Sequence, residues 1–141
     1  MTQWTRENSR AFMPYPDCDV PHAESGPLAG LTFSVKDMFD VAGFPTNAGS
    51  PTMLAASGIK TKTACAVQQL LDAGARFIGK AVTDELAFSV ICNNAHFGIP
   101  VNGAAPERYA GGSSSGSASS VSCGLCDFSL GTDSGGSVRG P

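Results

Sequence analysis

Two glycine- and serine-rich stretches near the end of the chain carry the chemistry that its residue types allow. Gly111-Gly112-Ser113-Ser114-Ser115-Gly116-Ser117-Ala118 and Gly131-Thr132-Asp133-Ser134-Gly135-Gly136-Ser137-Val138-Arg139 set hydroxyls on a backbone with few Cβ atoms, and glycine lets main-chain NH groups come close to a ligand. A flexible linker has the same composition. Between the stretches, however, Cys126-Asp127-Phe128-Ser129-Leu130 alternates over strand length and runs directly into the second, so two structured loops are expected. Neither holds the lysine of a phosphate-binding P-loop, and a GxGxxG fingerprint is absent. Gly112-Ser113-Ser114-Ser115-Gly116 fits GxSxG with Ser114 at its centre, but Glu107-Arg108-Tyr109-Ala110-Gly111 is a poor version of the buried strand that such an elbow follows. What remains is serine nucleophilic catalysis with a lysine base. A serine hydroxyl needs a neighbour to take its proton, and a neutral lysine can do so directly or through a second hydroxyl. Lys36, Ser113 and Ser137 could supply base, bridge and nucleophile, and the amides of Ser134, Gly135, Gly136 and Ser137 could face a developing oxyanion.

These residues need elements to hold them. Leu31-Thr32-Phe33-Ser34-Val35 alternates as a short strand within Leu28 to Val35 and delivers Lys36 at its end. On this stretch alone the lysine reads first as a solvated surface cation; desolvation there would lower its pKa and free the amine. Asp37 to Thr52 is predicted as a long loop. Thr61 to Gly74 has the pattern of a helix, capped by Thr61 or Thr63, with Ala66, Val67, Leu70 and Leu71 on one face and Gly74 at its end. Arg76 to Val82 is predicted as a second strand pairing in parallel with the first. Thr83 to Phe88 suggests a short capped helix with Asp84 and Glu85 in its first turn, and Ser117 to Cys123 another helix. Residues 1–27, with Pro14, Pro16, Pro21 and Pro27, are predicted as an extended arm, and residues 28–141 as the domain. His22 and His96 read as ordinary loop histidines.

The chain of 141 residues is 42% apolar and 15% charged, as a globular protein is. Nine basic and twelve acidic residues leave a net charge of −3 without a basic run, so nothing suggests a phosphate-backbone partner and no nucleic acid is expected. No window is apolar for long enough to suggest a membrane span. Five cysteines, an odd number without scaffold spacing, fit a reducing, cytoplasmic setting, and Cys123 and Cys126 read as buried thiols. No cofactor is expected, and no His, Cys or carboxylate cluster points to a metal.

The three segments Ser34-Val35-Lys36-Asp37, Gly111 to Ala118 and Gly131 to Arg139 together resemble the amidase signature family, in order and in spacing, from about Leu28 to Pro141. The resemblance implies an α/β fold, the N-terminal part of a mixed twisted sheet covered by helices. It implies a Ser-Ser-Lys triad: Ser137 as the acyl-accepting nucleophile, Ser113 as the bridge after a cis peptide, and Lys36 as the base. Ser114 would hydrogen-bond within the site, while Asp133 and Arg139 brace the loop. Ser115, Glu85, Asn94-Ala95-His96-Phe97-Gly98 and the short segment before Lys36 are similar to the indole-3-acetamide hydrolase-like subgroup. The corresponding subunit of glutamyl-tRNA amidotransferases has a longer stretch before the lysine. The expected activity is therefore hydrolysis of a small carboxylic acid amide to acid and ammonia, with a glutamyl-tRNA amidotransferase subunit or a non-catalytic interaction module of the same fold as alternatives. Family members are several times longer, so the chain is expected to be truncated after the nucleophile loop and inactive alone, with a homodimer or a missing C-terminal portion covering its exposed faces.

Overall fold

In the computed structural model, which describes residues 3–141, three parallel strands lie in the order β2-β1-β3. β1 (Thr32–Lys36) is central. β2 (Arg76–Ala81) pairs it from Thr32↔Arg76 to Lys36↔Ala81, and β3 (Phe128–Leu130) from Phe33↔Phe128 to Val35↔Leu130. The edge of β2 is met by an antiparallel bridge between Phe12 and Ala81. The strand–helix–strand unit and its parallel pairing are as predicted, and the covered sheet places the chain in the α/β class.

The alternation in β1 separates two environments. Phe33 and Val35 point into an apolar core with Val41, Phe44, Val67, Leu71, Ala75 and Phe77. Aromatic packing fixes this layer: the Phe33 ring stacks on Phe128 with centroids 5.4 Å apart and meets Phe77 edge-on at 5.9 Å. Ser34 points the other way, its hydroxyl 2.9 Å from that of Ser120 and 2.6 Å from that of Ser129. Lys36 follows it on this polar face.

Of the helices, α1 (Arg6–Ser9) opens the arm with a capping box between Thr5 and Asn8. The arm is less superficial than predicted, because Ala11, Phe12 and Met13 are buried against the β2 edge and the Met13 amide donates to the Lys80 carbonyl at 2.9 Å. α2 (Pro51–Ser57) lies partly in the predicted loop and is announced only by Pro51 at its first position. α3 (Cys65–Asp72) buries Val67 and Leu71 on the aromatic face and ends at Gly74, where φ is +94°. Its expected threonine cap does not form. Ala64 is the N-cap, and the Thr63 hydroxyl instead accepts from the Ala42 amide at 3.1 Å. The short helix expected at Thr83 to Phe88 is only a 3-10 turn at Glu85–Ala87, broken by positive φ at Leu86 and Ala87 and without a side-chain cap. α4 (Ser115–Ser122) covers the polar face of the sheet. Gly116 lets it do so: a Cβ there would collide with the Ala11 carbonyl and the Val82 amide.

Candidate active site

Each of the two Gly/Ser loops approaches the polar face from a different element. The first precedes α4 and places Ser113 under the C-terminal end of β1; the second follows β3. The Gly112–Ser113 peptide is cis. The Ser113 carbonyl is held from below by the Thr83 hydroxyl at 2.9 Å and the Asp84 amide at 3.2 Å. Ser114 joins the loops. Its amide donates to the Ser137 carbonyl at 3.2 Å, and its hydroxyl engages both the carbonyl and the amide of Thr132.

Lys36, fully buried, ends between them. Its Nζ donates to Ser113 Oγ at 2.8 Å and to Thr132 Oγ1 at 2.8 Å, and Ser113 Oγ in turn donates to Ser137 Oγ at 2.9 Å. Lysine, bridge and half-buried Ser137 hydroxyl thus form one continuous chain. Burial pulls the Lys36 pKa down to about 8, with Asp84 and then Asp133 opposing the fall. An amine with this affinity is neutral in about one molecule in ten at pH 7. The geometry therefore permits proton transfer along Ser137, Ser113 and Lys36.

Asp133 organises the second loop from inside. One carboxylate oxygen accepts from the Gly136 amide at 2.8 Å, the other from the Val138 and Arg139 amides at 3.0 Å each. The Arg139 guanidinium closes on both oxygens at 2.8 and 3.0 Å. Arg139 above all, then these amides, holds the Asp133 carboxyl well below the usual carboxylate range. The Gly136 amide, one of the four expected to face an oxyanion, is turned toward Asp133 here and closes the loop. The amides of Ser134, Gly135 and Ser137 have no acceptor among the described residues. They border a cleft of about 410 Å³ lined by Phe88, Val90, Ser113, Thr132, Gly135 and Ser137. Phe88 is 91% exposed there.

Sequence reasoning passed over three contributors. Thr132 lies within the quoted loop and shares Lys36 with Ser113. Asp84, expected to face a helix dipole, is instead buried beneath Gly112. Behind Lys36, Asp37 forms a buried ion pair with Lys80 at 2.6 Å and accepts from the Tyr15 hydroxyl at 2.7 Å and the Asn47 amide at 3.1 Å. A lysine inside the apolar run of β2 was the available signal. His96 lies apart, its Nε2 3.6 Å from Glu85 in an exposed pair, and Cys123 and Cys126 are buried thiols.

The family model described as Amidase matches residues 8–141. The chain belongs to the amidase family. It is 52% identical over 114 residues to amidase 1 of Arabidopsis thaliana, a match covering 81% of this chain and 27% of that protein. It is 45% identical over 130 residues to the mitochondrial outer envelope protein 64 of the same plant, covering 92% of this chain and 21% of that one. The crystal structure of a glutamyl-tRNA(Gln) amidotransferase subunit from Thermotoga maritima superposes with a TM-score of 0.84 at 32% identity, over 96% of this amidase-family chain and 29% of the other. The chain thus spans roughly a quarter of the length of the relatives it matches. Among its described residues no helix is long and apolar enough to cross a membrane.

Proposed function

We propose that this chain carries the Ser-Ser-Lys catalytic triad of an amide hydrolase, with Ser137 as nucleophile, Ser113 as proton bridge and Lys36 as terminal base. One observation carries the reading: the unbroken hydrogen-bond chain of 2.8 and 2.9 Å from the buried Lys36 to a serine at the mouth of a cleft. Neutral Lys36 accepts the Ser113 proton as Ser113 accepts that of Ser137, and the Ser137 oxygen attacks the amide carbonyl. The charge that develops on the carbonyl oxygen is met by the amides of Ser134, Gly135 and Ser137. The proton returns through Ser113 to the leaving ammonia. Water then cleaves the acyl-enzyme by the same relay run again. Ser114, Asp133 and Arg139 support the two loops.

The cleft supports a reading of the substrate class. Phe88 and Val90 present apolar surface beside Ser137, which suits the acyl part of a small, aromatic acid amide. Residues 28–141 form the amidase portion, preceded by the arm of residues 1–27, whose first two lie outside the described residues, although the family match already begins within that arm. Five unpaired thiols accord with a reducing, cytoplasmic location. A second reading, one component of a glutamine-dependent amidotransferase, draws support from the likeness to the Thermotoga maritima protein; a requirement for glutamine and partner subunits would establish it. The test of the first is an intact-mass measurement with a fluorophosphonate. One adduct is expected, absent in Ser137→Ala; an adduct that persists in that variant refutes the assignment.

A further inference from the structure

Among the described residues four charged side chains are buried: Lys36, Asp37, Lys80 and Asp84. A buried charge is costly unless an opposite charge or several hydrogen bonds compensate it. Asp37 and Lys80 compensate each other at 2.6 Å. That leaves Lys36 and Asp84. Lys36 has only the uncharged hydroxyls of Ser113 and Thr132 as hydrogen-bond partners. Asp84 accepts a single hydrogen bond, from the Cys92 amide to Oδ2 at 3.1 Å, and its Oδ1 is buried without a partner. The two flank the same short segment: Asp84 fills the space where a Gly112 Cβ would be and its amide holds the Ser113 carbonyl, while Lys36 holds the Ser113 hydroxyl.

We propose that Asp84 is the positioning residue for Lys36, a buried counter-charge acting across the Gly112–Ser113 segment to set the proton affinity of the base. The inference rests on the assignment of Lys36 as base. The other charges near the pair are already answered. Asp133 is tied to Arg139, Asp37 to Lys80, and Glu85 faces His96 at the exposed end of the turn. The Cys92 thiol beside Asp84 is pushed up to about 11 by burial and stays neutral over the working range. Of the charges that raise the Lys36 affinity, Asp84 contributes the most. Its function is a compromise: burial alone would leave an amine too weak to take a proton from a serine, and a closer carboxylate would hold the ammonium permanently charged.

The measurement is the Lys36 ¹³Cε resonance titrated in the chain. A midpoint near 8 is expected, falling by about one pH unit in Asp84→Asn and returning toward the original in Asp84→Glu. An unmoved midpoint in folded Asp84→Asn overturns the proposal. If that variant does not fold, the Asp84 ¹³Cγ resonance of the unsubstituted chain decides: it follows Lys36 with the same midpoint and loses that inflection in Lys36→Met, whereas a trace without it overturns the proposal. Fluorophosphonate labelling of Ser137 separates this from the parent reading. Undiminished labelling in Lys36→Met defeats the triad itself, while lost labelling there with an unmoved Lys36 midpoint in Asp84→Asn defeats only the role of Asp84.

Discussion

Ser114 and Thr132 exchange hydrogen bonds across the two loops: the Ser114 hydroxyl donates to the Thr132 carbonyl at 3.2 Å and accepts from the Thr132 amide at 3.3 Å. Thr132 also receives Lys36, so this pair ties Lys36 to the segment that bears Ser137. Ser114→Ala removes both bonds at once. A loss of about 1–2 kcal/mol in urea unfolding is expected, together with slower fluorophosphonate labelling of Ser137. Unchanged labelling would show that the loops keep their register without this link.

Reactivity at Ser137 is expected to depend on pH through Lys36. With a midpoint near 8, the labelling rate rises about tenfold per pH unit below it and levels off above. Replacement of Lys36 by Met abolishes the rise.

The same group gives a stability signature of opposite sense to an ordinary ion pair. The folded-state pKa of Lys36 is lowered from 10.5 to about 8, so between those values the unfolded chain binds the extra proton. Stability therefore increases with pH across that window, and below it the buried ammonium weighs against folding. Denaturant midpoints compared at pH 7.5 and 10 are expected to show this increment in the parent chain and lack it in Lys36→Met.

Lys80→Met strands the Asp37 carboxylate without its cation, and a loss of about 3–5 kcal/mol is expected. Asp37→Asn combined with Lys80→Met recovers part of it, because both charges are then gone. A double-mutant cycle in urea measures the coupling.

Phe88 tests the substrate side. At 91% exposure it contributes little packing, so Phe88→Ala is expected to change stability by less than about 0.5 kcal/mol. In the full-length protein it is expected to raise KM for aromatic amides several-fold while kcat holds. An equal effect on an aliphatic amide would remove Phe88 as a determinant of substrate choice.

How much of this was legible depended on whether a residue acts locally. The strand of Leu31 to Val35, the face of α3 and the stop at Gly74 follow from periodicity and glycine, which depend on near neighbours. The loops are visible as motifs, and the place of Lys36 at the end of an apolar strand makes it a candidate base, but its own stretch still reads first as a surface lysine and the resemblance to a family is what raises it above that. α2 was hidden because it buries no residue and so shows no apolar stripe. Asp84 and Lys80 were hidden for the opposite reason: their partners lie across the fold, and a charge beside a turn or within a strand looks solvated until the other chain segment is in place. The bond from the Gly136 amide to Asp133 was hidden because a glycine-rich loop does not reveal which of its NH groups its own aspartate will claim.

The alternation of β1 has a further consequence. Phe33 and Val35 face rings and aliphatic chains, while Ser34 and Lys36 face serines. A single-residue insertion or deletion inside this five-residue strand would exchange odd for even positions, driving an ammonium into hydrocarbon and an aromatic ring among hydroxyls. The reading frame of side chains along β1 is thus a parity check on the fold: length errors of one are rejected before the two loops can meet Lys36.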